Sequence, residues 1–346
     1  MRLLFVVTGF GYGDSIRAEA IINEFLKKDP LNDVLILGYD TSYKYFKNKF
    51  KVLEVEGYKF PDDSLEFKTH RFLIKNYYLP FSWIVTWRRH RRILKSFKPD
   101  LVISDFEPMA LFIAKSLRKK CISIFGFDPK SYKEFPDKTQ NLEIQVKFIK
   151  TLYKNSHKVI IPSLIKRKNH SNIYYTNPII RKYKTTKNLM RKLKLRKQPI
   201  LVMLGGSDFG LNLAKEIIKL SKNYKENFII FGGSRKLSKN HFTNFNENFL
   251  DYLKACKGII TLAGNLTLSE SLFFKKALLV FPIKNHIEQQ LNAFNVRNHI
   301  TIGKDLKKSL DYFIKNIKVL EKKAKKYKIK DTGAKEVVNI VYKIKK

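Results

Sequence analysis

Short apolar runs alternate with helix-length segments along most of this chain, and that alternation restricts the folds available to it. The pattern predicts buried strands at 1–7, 33–38, 51–55, 100–104, 121–125 and 158–161, with helices between them at 15–28, 81–97, 107–118 and 143–155. Strands and helices that alternate in this way form parallel sheets, because each helix carries the chain back to the start of the next strand. The first half of the chain is therefore predicted to be an α/β domain with helices on both faces of its sheet.

The alternation is interrupted once and then resumes. Residues 163–198 are polar and basic, with an Asn-Pro turn at 177–178, and further strands are predicted at 199–204, 227–231, 258–261, 277–281 and 299–302. A chain of 346 residues is long enough for two domains of ordinary size. We therefore predict two tandem Rossmann-like domains facing a central cleft. The predicted division is an N-terminal domain at 1–163, a linker and the start of the second domain at 164–198, a C-terminal domain at 199–320, and a lysine-rich C-terminal helix at 321–346 that can pack back on the N-terminal domain.

The chain is strongly basic, with 69 lysine and arginine residues against 30 aspartate and glutamate residues, which gives a net charge of +39. Such a surface attracts polyanions, including nucleic acid, anionic lipid and phosphorylated substrates. The lysines are spread along the whole chain, so a general bias in composition explains the charge equally well. Both explanations stay open.

Several kinds of site and location are disfavoured. No apolar run reaches the roughly 18 residues of a membrane span, and a strand begins close to Met1, so we expect a cytoplasmic protein without a signal peptide. Cys121 and Cys256 lie in separate apolar runs and are predicted to be buried thiols. Neither the cysteines nor the seven histidines have the spacing of metal ligands, so we expect no metal and no other cofactor.

The strongest motif occupies residues 258–293. A predicted strand ends before Gly264 and Asn265, and a helix is predicted to start near Leu266. The unpaired amides of a first helical turn form an anion site, which suits a diphosphate, and Thr267 can add a hydroxyl contact. Ligands of doubly wound sheets bind beyond the carboxyl ends of the strands, so this site is predicted to face the cleft.

Carboxylates also follow these strands. Glu270 lies near the predicted diphosphate site and would repel phosphate, so we expect it to face a wet cleft and to accept hydrogen bonds from neutral hydroxyls such as a ribose diol. The next strand ends at Pro282, and the helix after it is predicted to point Glu288 and Gln289 into the same cleft.

This order of residues resembles the nucleotide-sugar site of GT-B glycosyltransferases. It is most similar to the MurG-like enzymes and an archaeal relative of them, and it is also similar to the plant UDP-glycosyltransferase signature. The resemblance implies that the donor diphosphate is held by Gly264, Asn265, Leu266 and Thr267, the ribose by Glu270, and the donor sugar hydroxyls by Glu288 with Gln289. The donor would be a UDP-sugar as co-substrate, without a metal ion.

A second stretch, LVMLGGSDFG at 201–210, supports the resemblance. It places Gly205, Gly206 and Ser207 after a strand, and MurG-like enzymes have a Gly-Gly-Ser loop facing the diphosphate there. Those enzymes carry glutamine where this chain has Asp208, so no contact is assigned to that residue. FIIFGGSRK at 228–236 is consistent with a nucleobase pocket or with a simple turn, and YTNPIIR at 175–181 resembles the family's Gly-Asn-Pro-Val linker.

The turn after the first strand, VVTGFGYGDSIRAEAI at 6–21, lacks the spacing of a GxGxxG dinucleotide motif. In GT-B enzymes this turn faces the acceptor, which assigns acceptor contacts to Gly11, Gly13 and Arg17. The family commonly has histidine where this chain has Asp14, although some antibiotic and sterol glycosyltransferases have Gly-Asp. Asp14 is predicted either to be the general base that takes the proton of the acceptor hydroxyl or to cap the helix that follows.

A second pair of carboxylates follows the strand at 100–104. Related glycosyltransferases place an aspartate there to orient the catalytic histidine, which assigns Asp105 to the catalytic group and Glu107 to the acceptor site. Beside Asp14, Asp105 would be a like charge that either raises the pKa of the base or binds the acceptor. The alternative is that these residues cap the helix at 107–118.

The segment at 77–97 combines tryptophans with a cluster of arginines. Trp83 and Trp87 are four residues apart and share a helix face, while Arg88, Arg89, Arg91 and Arg92 follow. Aromatic anchors with arginines suit an anionic membrane surface, and MurG-like enzymes use a lipid-linked acceptor. Core packing explains the tryptophans equally well, and Ile93, Leu94 and Phe97 are predicted to pack on the sheet.

We therefore predict a glycosyltransferase that moves a sugar, with N-acetylglucosamine favoured, from a UDP-sugar to an acceptor hydroxyl, with inversion. The acceptor is either soluble or lipid-linked, and the enzyme would be cytoplasmic or peripheral at the inner face of the membrane. One alternative is an enzyme like UDP-N-acetylglucosamine 2-epimerase. Another is a basic nucleic-acid-binding protein, which is disfavoured because no aromatic-basic recognition motif is present.

Overall fold

A computed structural model describes residues 1–59, 65–184, 187–206, 208–233, 235–243 and 245–345. Its contacts divide the chain into two compact units. The first unit comprises Met1–Pro61, Lys68–Ile180 and Asp331–Lys346, and the second comprises Asp62–Phe67 and Arg181–Lys330. Each unit has its own parallel sheet, and so the predicted α/β architecture is confirmed.

Among its described residues, the first unit has a seven-stranded sheet in the order β3-β2-β1-β4-β5-β6-β7. The strands are β1 (Arg2–Val7), β2 (Asp33–Gly38), β3 (Val52–Glu54), β4 (Leu101–Asp105), β5 (Cys121–Ile124), β6 (Lys158–Pro162) and β7 (Ile173–Thr176). The helices that connect them are α1 (Gly13–Lys28), α2 (Asp40–Phe46), α3 (Thr69–Lys75), α4 (Leu79–Phe97), α5 (Met109–Ser116) and α6 (Gln140–Asn155).

The register of the first sheet brings chemically important residues to one edge. β1 pairs in parallel with β4, with Val7 opposite Asp105. The apolar residues of both strands are almost completely buried, as expected for a parallel sheet covered on both faces. The turn after β1 and the carboxylates at the end of β4 therefore lie at the same edge of the sheet.

Among its described residues, the second unit has a six-stranded sheet in the order β10-β9-β8-β11-β12-β13. Its strands are β8 (Ile200–Met203), β9 (Phe228–Phe231), β10 (His241–Phe242), β11 (Gly258–Thr261), β12 (Ala277–Val280) and β13 (Thr301–Ile302). Its helices are α7 (Leu189–Lys192), α8 (Leu211–Ser221), α9 (Phe249–Ala255), α10 (Asn265–Phe273), α11 (Ile287–Asn295) and α12 (Leu306–Lys325). Met203 lies opposite both Phe231 and Thr261, so the turns after β8, β9 and β11 share one edge.

The first unit departs from the predicted boundaries at β7. β7 falls inside the stretch predicted to be a linker and pairs in parallel with β6, because Ile173, Tyr174, Tyr175 and Thr176 are residues that favour strands. The last helix, α13 (Gly333–Lys345), is part of the first unit. Its Tyr342 hydroxyl donates to Asn32 Oδ1 at 3.0 Å, and its apolar face, with Val337, Val338 and Val341, is buried.

Candidate functional site

The turn between β1 and α1 is held by side chains of the neighbouring α2. The Thr41 hydroxyl lies 2.5 Å from the Gly9 carbonyl oxygen and 2.7 Å from the Gly11 carbonyl oxygen, and it can donate its one proton to either. Gly13 is the first residue of α1, and Tyr12 occupies the N-cap position without a side-chain cap hydrogen bond. Both glycines that were assigned to the acceptor, Gly11 and Gly13, thus lie at the edge where β1 ends.

Arg17 joins the two aspartates of this edge. Its Nη2 atom lies 2.5 Å from Asp14 Oδ1 and also contacts Asp105 Oδ1, while its Nε atom donates to Asp105 Oδ2 at 3.2 Å. Arg17 is 3% exposed and Asp105 is 0% exposed, whereas the Asp14 side chain is 23% exposed. The group therefore contains two carboxylates for one guanidinium, and Asp14 is the member that solvent can reach.

Burial sets the titration of this pair. Loss of hydration raises the pKa of both Asp14 and Asp105, and the charge of Arg17 opposes the rise at each site. The Asp14 charge further raises the pKa of Asp105. Because one guanidinium cannot neutralise two carboxylates, the pair takes up one proton more readily than an isolated aspartate does.

Three sequence-based assignments change in this light. The Asp14 carboxylate contacts Arg17, and α1 has no side-chain cap hydrogen bond, so the capping alternative for Asp14 is wrong. Arg17, which was assigned to the acceptor, is buried and directed at the two aspartates. The capping alternative for the β4 carboxylates is also wrong at Asp105, because α5 begins at Met109 with Pro108 at its N-cap.

Glu107 is a buried acid at the same edge. It is 2% exposed, and its Oε1 atom accepts a long hydrogen bond of 3.4 Å from the Met109 amide. Its Oε2 atom lacks a hydrogen-bond partner among the described residues. Burial raises the pKa of Glu107 to about 7. The residue was predicted to bind the acceptor, and in this structure its carboxyl group is enclosed by protein.

In the second unit, the glycine turn after β8 is followed by a short 3-10 helix at Asp208–Gly210 and then by α8. Gly205 has a φ of 79° and accepts a hydrogen bond of 3.2 Å from the Gly233 amide of the neighbouring turn. Gly206 follows in the same turn. Ser207, the third residue assigned to this loop, lies outside the described residues.

The start of α10 is the helix N-terminus that was predicted to hold an anion. Gly264 is its N-cap, with no side-chain cap hydrogen bond, and a Cβ atom built on Gly264 would meet nothing within 4 Å. The positive end of the helix dipole therefore faces open space at this point. Asn265 and Leu266 are buried and Thr267 is half-buried. The helix begins one residue earlier than predicted.

Glu270 differs from its predicted environment. It is 0% exposed, and Arg181 donates to it from Nε to Oε1 and from Nη2 to Oε2, each at 2.6 Å. The Arg181 guanidinium also lies over the Phe249 ring, 5.1 Å from its centroid. The prediction that Glu270 faces a wet cleft is therefore wrong. Arg181 was missed, although it follows the Asn-Pro motif that had been singled out.

The two polar residues of α11 differ in their contacts. Gln289 Oε1 accepts a hydrogen bond of 3.0 Å from the Ile283 amide, which ties the helix to the end of the preceding strand. Glu288 lies in the first turn and is half-buried. His286 occupies the N-cap position, and burial lowers its pKa to about 4, so it is neutral at physiological pH.

A groove of about 1000 Å³ lies on the helical face of the first unit. Its apolar lining includes Tyr58, Phe72, Leu73, Tyr77, Trp83, Phe112 and Phe148, and its basic rim includes Lys115, Arg118, Lys119, Lys120 and Lys154. Trp83 and Trp87 are half-buried and pack against the core. Exposed apolar residues lie beside them at Phe81, Ile84, Val85 and Ile93, so the prediction that Ile93 packs on the sheet is wrong.

No group of three or more His, Cys, Asp and Glu side chains in the described part of the chain converges so that it could hold a metal ion. Within the same residues, no helix combines the length and apolar character needed to cross a bilayer. Cys121 and Cys256 are buried free thiols, as predicted.

Comparison with known sequences gives consistent matches. The family model described as glycosyl transferase family 1 matches residues 1–318. A UDP-N-acetylglucosamine–N-acetylmuramyl-(pentapeptide) pyrophosphoryl-undecaprenol N-acetylglucosamine transferase of Clostridium botulinum is 26% identical, over 99% of each chain. An uncharacterized glycosyltransferase of Methanosarcina acetivorans is 25% identical over 58% of this chain and 59% of that protein.

Solved structures match at the level of the fold. A UDP-glucosyltransferase from Polygonum tinctorium has a TM-score of 0.69 at 14% identity, over 99% of this chain and 98% of that one. The spinosyn rhamnosyltransferase SpnG has a TM-score of 0.64 at 12% identity, over 99% and 100% of the two chains. The two parallel-sheet units therefore have the GT-B fold, as the sequence motifs implied.

Proposed function

The chain belongs to glycosyl transferase family 1 and is a glycosyltransferase, and we propose that it transfers a sugar from a UDP-sugar to an acceptor hydroxyl with inversion at the anomeric carbon. The observation that carries this proposal is the open N-terminus of α10 beyond the end of β11. Backbone amides and the helix dipole at this point suit a diphosphate, as they do at other helix N-termini. We propose that the donor binds here without a metal ion.

The remaining donor contacts are proposed from the same unit. Thr267 would bind the diphosphate through its hydroxyl, and Glu288 with Gln289 would bind the sugar. Glu270 is retained as the ribose ligand, with one added condition. Because both of its oxygens accept from Arg181 and the side chain is fully buried, neighbouring side chains must move before a ribose can reach it.

Asp14 is the proposed general base. Inverting transfer needs a group that takes the proton of the acceptor hydroxyl as this oxygen attacks the anomeric carbon. Asp14 is the solvent-accessible member of the Asp14–Arg17–Asp105 group, and loss of hydration raises its pKa above that of an ordinary aspartate. Asp105 is held by Nε and Nη2 of Arg17 and would act on Asp14 through its charge.

We further propose that N-acetylglucosamine is the transferred sugar and that the acceptor is lipid-linked. The Clostridium botulinum relative is named for both properties. In this chain, the groove of the first unit joins an apolar lining to a basic rim, which suits an anionic amphiphile. The exposed Phe81, Ile84 and Val85 beside exposed arginines would bring the enzyme to an anionic membrane surface.

The direct test has two stages. Calorimetry with UDP, GDP, ADP and dTDP identifies the nucleotide, and we expect UDP to bind most tightly. Transfer is then followed by mass spectrometry with UDP-N-acetylglucosamine and UDP-glucose, each offered to a polyprenyl-diphosphate sugar and to a soluble sugar. Tighter binding of another nucleotide would exclude the UDP donor, and transfer only to the soluble sugar would exclude the lipid-linked acceptor.

A further inference from the structure

Two glycine turns meet at the edge of the second sheet. The turn after β9 contains Gly232 and Gly233, and the Gly233 amide donates to the Gly205 carbonyl in the turn after β8 at 3.2 Å. Gly232 has a φ of 96°, and a Cβ atom there would lie 1.9 Å from the Gly205 carbonyl oxygen. The position of the Gly205 turn, which the sequence resemblance assigns to the donor diphosphate, therefore depends on the position of the Gly232 turn.

His241 fixes the Gly232 turn from the adjacent edge strand, β10. Its Nε2 atom lies 2.6 Å from the Gly232 carbonyl oxygen, and its Nδ1 atom accepts a 3.0 Å hydrogen bond from the Leu237 amide. Because an amide can only donate, Nδ1 carries no proton and Nε2 is the donor to Gly232. The imidazole is 3% exposed, so the ring itself is buried.

We propose that His241 is a positioning residue for the nucleotide part of the donor. Its ring bonds both ends of the loop from Gly232 to Leu237, and the Gly233–Gly205 hydrogen bond passes this constraint to the turn after β8. This inference rests on the proposed donor site in the second unit. His241 does not act on the reacting atoms, so its removal affects donor binding rather than the chemical step.

Histidine suits this position because one rigid ring supplies a donor and an acceptor at fixed separation. An aliphatic side chain would leave the half-buried Gly232 carbonyl and the Leu237 amide without these bonds. Glutamine can place an amide near the position of Nε2 and keep the bond to Gly232, whereas asparagine is shorter and reaches only the position of Nδ1. The two amides therefore separate the bond that holds the glycine turn from the bond that holds Leu237.

The experiment measures UDP affinity by calorimetry, together with donor KM, acceptor KM and kcat, for His241→Ala, His241→Gln and His241→Asn. We expect His241→Ala and His241→Asn to weaken UDP binding about tenfold, because both variants lose the bond that holds the Gly232 turn. A tenfold change corresponds to about one net hydrogen bond. His241→Gln should stay within about threefold of the native protein. In all three variants, two quantities should change little: the kcat measured at saturating donor and the KM for the acceptor.

Controls separate a local from a general loss of structure. His299→Ala removes a histidine of the second unit that packs on Tyr327 and bonds the Lys323 carbonyl, and it should leave UDP affinity unchanged. If His241→Ala does not fold, the comparison of the Gln and Asn variants decides. Equal UDP affinity in those two variants, or the better affinity in Asn, would overturn the proposal.

A variant of the proposed donor site tests the role of His241 separately from the donor site on which that role rests. Thr267→Val should weaken UDP binding if the nucleotide occupies the start of α10. A loss in Thr267→Val with native affinity in all His241 variants would reject the role of His241 alone. Native UDP affinity in Thr267→Val and the His241 variants together would reject both the role of His241 and the donor site on which it rests.

Discussion

Arg181 and Glu270 form a bidentate ion pair, with two hydrogen bonds of 2.6 Å between the guanidinium and the carboxylate. The carboxylate is fully buried and the arginine side chain is 15% exposed. Removing one member of such a pair leaves the other as an unpaired charge in a poorly hydrated environment. Glu270 is thus a structural residue of the second unit, whatever its contact with the donor.

We therefore expect Glu270→Ala to lower the free energy of unfolding by about 3 kcal/mol, because Arg181 would lose its partner. Denaturant titration at neutral pH measures this. The control is Glu226→Ala, which breaks a more exposed pair with Lys257 and should cost less than about 1 kcal/mol. Equal small losses in both variants would show that the Arg181–Glu270 pair contributes little to the fold.

The Asp14–Arg17–Asp105 group leads to a prediction with a defined sign. Asp105→Asn removes a negative charge and leaves the Arg17 guanidinium to Asp14 alone, so the pKa of Asp14 should fall. The acid limb of kcat/KM should move to lower pH by about one unit.

Asp14→Asn should reduce turnover about a hundredfold or more with donor affinity retained. A limb that stays in place in Asp105→Asn, or native turnover in Asp14→Asn, contradicts the assignment of the base.

Glu107 makes the stability of the first unit depend on pH. Its pKa rises from an ordinary 4.5 to about 7 on folding, so its contribution to stability is complete below about pH 4.5 and is lost as the pH rises to about 7. In Glu107→Gln no carboxyl group can ionise at this position, so the variant does not lose stability in this way as the pH rises. The variant should gain up to about 3 kcal/mol relative to the native protein between pH 5 and pH 8. Denaturant unfolding of both proteins at pH 5 and at pH 8 tests this. The same difference in free energy of unfolding at the two pH values would show that Glu107 ionises normally.

The sequence predicted the features that depend on local pattern. Apolar runs located most of the strands, although not β7, and the glycines after β8, β9 and β11 located the turns at one edge of the second sheet. These signals need only neighbouring residues. The edge strand β10, with only His241 and Phe242, is too short to give such a signal.

The contacts that define the candidate sites could not be predicted in this way. Arg181 and Glu270 are 89 positions apart, and Arg17 and Asp105 are 88 apart. A carboxylate after a strand is consistent with a ligand contact or with an internal ion pair, and composition does not distinguish the two. Only the tertiary fold brings the arginine to the carboxylate, which is why Glu270 was expected in water and is found buried.

Two glycines of the second unit should respond differently to alanine. In Gly232→Ala, the new Cβ atom would lie 1.9 Å from the Gly205 carbonyl at a φ of 96°, so we expect a loss of about 2 kcal/mol in stability. Gly264→Ala meets nothing within 4 Å and should change stability by less than about 0.5 kcal/mol. If the diphosphate lies against Gly264, this variant should still lose about tenfold in UDP affinity. Native UDP affinity in Gly264→Ala would move the diphosphate elsewhere.

The last prediction asks whether membrane binding depends on the arginines of α4 or on the total charge of the chain. Each basic side chain near an anionic surface contributes about 1 kcal/mol, screened over about 8 Å at physiological ionic strength. Glutamine at the exposed Arg88, Arg89, Arg91 and Arg92 of α4 should therefore weaken binding to phosphatidylserine vesicles strongly, because Phe81, Ile84 and Val85 hold these residues at the surface. The same change at the exposed Lys322, Lys323, Lys325 and Lys326 removes equal charge from a segment that we do not expect to dock. Vesicle sedimentation measures both variants. Equal losses would show that the net charge of +39, rather than α4, attracts the membrane.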